Sequence, residues 1–524
     1  MGFLKKLWYG EAHGLTTAAF IVGTASLVSR LMGVLRDRIL ASTFGAGASL
    51  DAYYAAFRLP DFLYNLIILG ALSAGFIPVF TEYLEKKGKG EAQKLAEQVV
   101  SLVFVVMTAL ALVLIVLAPT LVPWTTPGYE GEKLDLTITL SRIMFLSPIL
   151  LGLSGVMGGV LQSMRRFLPF ALAPIFYNIG IILGALVLTP RFGLQGLAWG
   201  VVMGALFHLL IQTSVAGIRN LHWPSLKPDG VRQILKLMGP RTLGLAMTQI
   251  NLVILLALAS SLPEGSVSVF NLATNLQSFP IGIIGVSFAI AAFPALSRAV
   301  SQVNTQAFRD SFSHAARNSI FFLVPISALF LLFRAQIVRL LFGAGAFDWT
   351  ATRLTANVFA WFTLSLVMQG LIPLLARGFY ALKDTWTPLW IGLINEVILA
   401  VSAYVLRNYL GVEGLAIAFT IASTVQMILL FIWLNRRQRA LDLKNIIYST
   451  FKIILATLAL GLVAYPLRQW IGTMYPLVKA WQVILQAVVG GMGGVLAFLL
   501  VAWLLKSQEL TEFLRGFKKR FEKH

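Results

Sequence analysis

The stretch SLVFVVMTALALVLIVLA, Ser101–Ala118, runs for 18 residues without a charged side chain. As an α-helix it would be about 27 Å long, nearly the thickness of a bilayer's hydrocarbon core, which a helix crosses in about 20 apolar residues. The run is apolar on every face and lacks the period-two alternation of a barrel strand, so a helix is required. Similar stretches fill the rest of the chain. Spans are expected near 15–36, 56–81, 95–119, 136–161, 168–189, 194–218, 236–262, 266–296, 311–333, 354–376, 387–407, 413–434, 449–470 and 482–505. The first is too long, and too interrupted by Arg30 and Arg36, to be a cleaved signal peptide. Across 524 residues, 58% are hydrophobic and 12% charged, with a mean hydropathy of +0.80; soluble domains carry about 25% charged residues. The fold class expected is an all-α polytopic membrane protein of about 14 helices.

The net charge of +20 does not point to nucleic acid, because the charges alternate with the spans. With the N-terminus inside, inner segments hold 25 of the 42 Lys and Arg residues, outer loops seven, and spans or their ends ten. The inner clusters are Lys5/Lys6, Lys86/Lys87/Lys89/Lys94, Arg165/Arg166, Arg219 to Lys236, Arg436/Arg437/Arg439 and the tail Arg515 to Lys523. This is the positive-inside pattern facing an anionic leaflet, and it puts both termini in the cytoplasm. The tail LRGFKKRFEKH reads as a lipid-surface anchor. Cysteine is absent, which removes disulfides and thiolate metal sites. His13, His208, His222, His314 and His524 show no ligand spacing, and no P-loop is present. No cofactor is expected, and uphill movement would draw on membrane potential, an ion gradient or coupled metabolism.

The chain repeats itself. Pro78 after GALSAGFI matches Pro294 after IGVSFAIAAF at an offset of 216 residues. Pro169 after MRRFL matches Pro388 after LKDTWT at 219, and Gly193/Gly196 in GLQGLAWG match Gly411/Gly414 in GVEGLAIA at 218. Six helices per repeat preserve orientation, so the halves are parallel repeats. The expected organisation is 1–230 and 231–445 for the halves, 446–505 for two further helices, and 506–524 for the basic tail.

A charge at mid-bilayer costs at least about 2.5–3.5 kcal/mol on insertion scales. Helix one nevertheless carries Arg30, Arg36, Asp37 and Arg38. Arg30 is read either as half of an ion pair with Asp51 or Asp61, or, preferably, as a guanidinium facing a water-filled cavity and gripping an anionic head group, for which its fork is suited. Arg36 is the better snorkelling candidate. Arg58 and Asp61 flank Pro60 and read as interfacial, as does Arg241. Arg142 could face the cavity or snorkel. Glu396 is read as a paired or lipid-edge residue before a proton or cation site.

Several segments resemble the MurJ (MviN) lipid II flippases of the multidrug/oligosaccharidyl-lipid/polysaccharide exporter superfamily. They are SRLMGVLRD (Ser29–Asp37), FGAGASLDAYYAAFRLPD (Phe44–Asp61), GALSAGFIPVF (Gly70–Phe80), APIFYN (Ala173–Asn178), MGPRTLGLAMTQIN (Met238–Asn251), LLFGAGAFD (Leu340–Asp348) and ARGFYALKDTWTP (Ala376–Pro388). The resemblance implies fourteen helices, two six-helix halves around a cationic cavity, and a groove from helices thirteen and fourteen for an undecaprenyl tail. It also implies lipid II, membrane lipids and other cell-wall synthesis proteins as partners, and no enzymatic chemistry. It places substrate contacts on Arg30, Arg36, Asp51 and Arg142.

Two positions depart from the family pattern. Where an arginine usually follows the LPD turn, this chain has Tyr64 and then Asn65. Where helix eight typically reads Asp-Arg-Leu, it has Thr274-Asn275-Leu276. Tyr64 and Asn275 are therefore expected as neutral substitutes, with hydrogen bonds roughly half as strong as charged ones. Helix seven also lacks an acidic residue after Asn251. The leading expectation is a lipid II flippase; the alternatives are another polyprenyl-diphosphate glycan, an amphipathic cation, or a non-transporting scaffold.

Overall fold

The computed structural model describes residues 15–217, 229–438, 441–475 and 479–521, with side chains described except at 15–20, 69–74, 237–248, 438 and 516–521. Lys5, Lys6, His13, Arg219, His222, Lys227, Arg439, Lys523, His524 and the side chains of Arg241, Lys518, Lys519 and Arg520 lie outside the described residues. Among the described residues there is no strand. The helices are α1 Leu15–Phe44, α2 Ala48–Tyr64, α3 Ser73–Lys86, α4 Gly88–Thr125, α5 Gly131–Met144, α6 Leu146–Ser163, α7 Phe167–Leu183, α8 Thr189–Phe192, α9 Leu194–Ala216 and α10 Asp229–Ser260. They continue with α11 Ser266–Pro280, α12 Val286–Ser301, α13 Thr305–Leu332, α14 Arg334–Leu341, α15 Trp349–Leu364, α16 Leu366–Ala381, α17 Trp386–Gln438, α18 Leu443–Met474, α19 Ala480–Leu504 and α20 Gln508–Phe521. Among the described residues nine helices are long and apolar enough to cross a membrane, ten when the bent pair α15–α16 counts as one. The other expected spans lie on α1, on α2–α3, on α10, and on the second half of α17, which breaks at Gly411.

The duplication is written into the backbone. π-Helical turns begin at Asn65 and Ile281, 216 residues apart. Left-handed φ values fall at Arg165 (57°) and Lys383 (60°), 218 apart. Gly193 (φ 59°, ψ −154°) and Gly411 (φ 56°, ψ −135°) break their helices in a region that only glycine enters readily. A Cβ on Gly196 would stand 2.4 Å from the Leu188 carbonyl carbon, and one on Gly414 2.4 Å from the Leu406 oxygen, each eight residues upstream. Breaks at such points are tolerable in lipid only where the freed backbone groups find partners within the protein.

The chain packs as two compact units. The first comprises residues up to Ser268 together with Ala344–Asp348, and the second comprises Val269–Gly343 with Trp349 onward. Packing thus divides the chain later than the sequence repeat does, because α10 lies against α3, α4 and the Asn65–Leu72 π turn. The Ala344–Asp348 segment joins the first unit through Ala346, whose N–H donates to the Ser42 carbonyl at 2.8 Å. In the first unit Phe76, Phe80, Met107 and Val160 anchor the core; in the second, Phe308, Phe312, Phe379 and Leu434 do. Within the first unit α7 and α9 approach through glycine, a Cβ on Gly184 falling 2.4 Å from Gly200 Cα. Gly200→Leu should prevent that approach and lower the midpoint of thermal unfolding by several degrees, since overpacking costs about 1–3 kcal/mol; detergent-solubilised protein followed by intrinsic fluorescence reads it.

In the second unit the amphipathic α20 is clasped by polar groups. Glu509 is buried, accepts from Ser449 Oγ at 2.8 Å and Ser507 Oγ at 2.7 Å, and sits 3.4 Å from Arg317 Nη1. Glu512 meets His314 at 2.6 Å, and Phe513 packs edge-on against Phe322. Burial would raise the Glu509 carboxyl, but the hydrogen bonds from its backbone, Ser507 and Ser449, together with Arg317, outweigh it and hold the group below the usual carboxylate range. A carboxylate held low stabilises the folded state above its unfolded pKa of about 4.3 and loses that contribution as pH falls through the lower folded value. Hydrogen exchange in α20 should therefore stay slow from pH 7 to 5. Glu509→Gln should speed it about ten-fold at pH 7, the equivalent of about one charged hydrogen bond; equal exchange in the two proteins would remove Glu509 from the clasp.

Candidate functional site

The charges on α1 are handled in two ways. Arg36 donates from Nε at 3.0 Å and Nη2 at 2.8 Å to Asp37 Oδ1, and from Nη1 at 3.1 Å to Asn178 Oδ1. Asn178 Nδ2 in turn donates to the Pro174 carbonyl at 2.9 Å, which fixes which end of the amide faces the arginine. Three of the five guanidinium N–H groups are thereby used and two are left, in a side chain 23% exposed. Arg36 is held against α7 by this contact and does not snorkel away from it. Arg30 differs: it is half-buried, and among the described residues it has no hydrogen bond or ion pair. The ion pair considered for it with Asp51 or Asp61 is not formed.

Asp51 is used within the fold. Its buried Oδ2 accepts from Lys133 Nζ at 3.0 Å and Gly265 N at 2.8 Å, and its Oδ1 from Ser268 N at 2.8 Å and Ser268 Oγ at 2.7 Å. Lys133 also lies over the Tyr129 ring, 4.1 Å from its centroid. Beside this node Ala48 N donates to Glu264 at 2.6 Å. One carboxylate thus ties the start of α2 to α5 and to the α10–α11 turn, all in the first unit.

Arg142 is exposed, and its Nε donates to the Ile115 carbonyl at 3.2 Å. Pro119, four residues on, has no N–H to give that carbonyl, so the arginine repairs a gap in α4. Tyr64 is half-buried at the last position before the π turn, within electrostatic reach of Asp61, and Asn65 hydrogen-bonds Asp61. Tyr177, beside Asn178, interacts electrostatically with Arg36, Tyr53, Asp61 and Tyr64, so α1, α2 and α7 bring these groups into one neighbourhood. Asn275 is exposed on α11 in the second unit. In α17, Glu396 Oε2 and Asn395 Oδ1 are buried without hydrogen-bond partners. No His, Cys, Asp or Glu cluster suited to a metal occurs among the described residues.

The family model described as "Lipid II flippase MurJ" matches residues 40–480. The chain belongs to the MurJ family. It is 30% identical over 463 residues to the "Probable lipid II flippase MurJ" of Rhizobium tropici, covering 86% of each chain. It is 29% identical over 436 residues to the "Lipid II flippase MurJ" of Burkholderia cenocepacia, covering 81% of this chain and 84% of that one. Among solved structures it resembles "Lipid II flippase MurJ, inward closed conformation", with a TM-score of 0.77 at 22% identity over 93% of this chain and 98% of that one. A multidrug resistance MATE family transporter of the MOP superfamily, inward-facing, aligns with a TM-score of 0.69 at 18% identity over 81% and 99%. The MurJ fold is thus present from the first half into the C-terminal helices, in a multi-pass membrane protein.

Sequence reasoning reached the arginines but not their partners. Asn178 stood inside the APIFYN segment, and its role depends on α1 packing against α7. Lys133, Gly265 and Ser268 had no signal, since only the tertiary fold brings them to Asp51. Asp51→Ala should lower the thermal midpoint by 5 °C or more, because losing one partner of a buried ion pair costs about 3–5 kcal/mol. Lys133→Met should cost less, its side chain being 21% exposed; an unchanged midpoint for Asp51→Ala would remove the node.

Proposed function

We propose that this MurJ-family protein flips lipid II, the undecaprenyl-diphosphate-linked peptidoglycan precursor, from the inner to the outer leaflet by alternating access, without covalent chemistry. The observation that carries the reading is Arg30, a guanidinium in a membrane span with none of its five donors used among the described residues. An unpaired cation there is costly, and a diphosphate supplies the acceptors that would offset the cost. Arg36 adds a second, oriented fork with two free N–H groups. Tyr64 and Tyr177 supply neutral donors in the same neighbourhood, while Arg142 and Asp51 support the helices around it. Both termini lie in the cytoplasm on this reading, as the positive-inside pattern supports. The unpartnered oxygens of Glu396 and Asn395 support an ionic coupling step in the second unit.

Growth rescue of a bacterium depleted of its own lipid II flippase tests this, with membrane levels followed by immunoblot. The wild-type chain should restore growth. Arg30→Ala should reduce flipping at least ten-fold, about the strength of one charged hydrogen bond, and Arg30→Lys should recover part of it. A fully active Arg30→Ala protein at normal membrane levels would defeat the assignment.

A further inference from the structure

Away from the α1 arginines, a cavity of about 620 Å³ opens in the second unit, lined by Arg309, Asn435, Arg436, Leu441, Leu443 and Lys444. It forms where the first turns of α13, the end of α17 and the start of α18 converge. Its size falls within the roughly 300–1,000 Å³ of small-ligand sites. Three cations and an amide surround two leucines, of which Leu441 is buried.

The cations are only partly neutralised by their surroundings. Asp442 forms an ion pair with Arg309, 3.7 Å from its Nη2, too far for an N–H···O hydrogen bond. Asp442 also caps α18 by accepting from Asn445 N. Arg309 Nε is buried and has no acceptor. Lys444 and Arg436 are exposed, and Arg436 lies 5.9 Å from the Trp433 ring centroid. Arg309 is not imposed by the duplicated fold: the repeat offsets of 216–219 residues place Gln93, Ala92, Glu91 and Gly90 opposite it.

We propose that this cavity binds the phosphodiester of an anionic phospholipid, which satisfies Arg309 Nε and the Arg436 and Lys444 charges while the glycerol and first methylenes rest on Leu441 and Leu443. Exposed Trp433 near the end of α17 and Tyr448 near the start of α18 lie on the helix ends that form the cavity; such side chains mark the membrane–water interface, which places the cavity at head-group depth. A soluble phosphate would find the cations but leave the leucine floor uncovered. None of these six lining residues belongs to α1 or to α20.

Full-length protein in mixed micelles, with bound lipid counted by native mass spectrometry, tests the proposal. The probes are phosphatidylglycerol, phosphatidylcholine with the same acyl chains, and glycerol 1-phosphate. Wild-type protein should retain phosphatidylglycerol at least ten-fold over phosphatidylcholine. Each basic residue near an anionic head group contributes roughly five-fold, so Arg309→Gln/Arg436→Gln/Lys444→Gln should lose ten-fold or more of that preference, with phosphatidylcholine unchanged. The basic tail is present in both proteins, so its contribution cancels. Should the triple variant fail to fold, Arg436→Gln/Lys444→Gln, altering exposed side chains only, should lose about five-fold or more. Retained preference in the variant that folds, equal retention of the two lipids by wild type, or glycerol 1-phosphate binding as tightly as phosphatidylglycerol overturns the proposal.

Discussion

Inside a bilayer no water is available to satisfy a polar group, so each donor, acceptor and charge in a span must find its partner within the protein or be offered to a ligand. That constraint selects helices for the backbone, and it also sorts the side chains. Ile115 loses its helical donor to Pro119 and recovers one from Arg142. Arg36 is paired with Asp37 and Asn178. Asp51 collects four hydrogen bonds from three separate elements. Beside these paired groups stands Arg30, a guanidinium in a span with no partner among the described residues. Single buried atoms without a hydrogen bond occur elsewhere, among them Glu396 Oε2 and Asn395 Oδ1 in α17 and Arg309 Nε in the second unit.

The fold was legible because its causes are local. Long apolar runs, prolines and glycines are read one after another along the chain, and the expected stretches lie on helical backbone to within two residues, although five of them cross a break between successive helices. The duplication was visible through Pro78/Pro294 and Gly193/Gly411 because a repeated backbone geometry demands the same residue twice. The π turns at Asn65 and Ile281 carry no residue signature of their own. The packing boundary at Ser268 was equally silent, since it depends on where α10 rests rather than on where the repeat begins.

The candidate site was legible only in part. A charged residue in an apolar run announces itself, so Arg30, Arg36 and Arg142 stood out. Which of them is free is a tertiary question: Arg36 and Arg142 are spoken for by Asn178 and Ile115, respectively 142 and 27 residues away. The family's loop aspartate fell on Asp51, but only the packing of Gly265 and Ser268 shows that its oxygens are already used. Tyr64, expected as a stand-in for an arginine, sits beside Asp61 and Asn65, a pairing that follows from the helical spacing of the LPDFLYN segment.

A flippase must release what it binds, and that bears on how much positive charge its site can hold. Each charge-assisted hydrogen bond is roughly twice as strong as a neutral one, so a ring of unpaired arginines would hold a diphosphate tightly on either side of the membrane. Here one guanidinium is free and the other shares its charge with Asp37, while tyrosine stands where the family usually has a further arginine. On the proposed reading, the substrate gains its attraction chiefly from Arg30, its orientation from the fixed fork of Arg36, and the remainder from neutral donors that exchange readily with water. Such a site binds more weakly than a fully cationic one but gives up its ligand with a smaller penalty. The two missing arginines are thus compatible with transport of the same chemical class: on the proposed reading they shift the balance between capture and release while leaving the two α1 guanidinium groups in place.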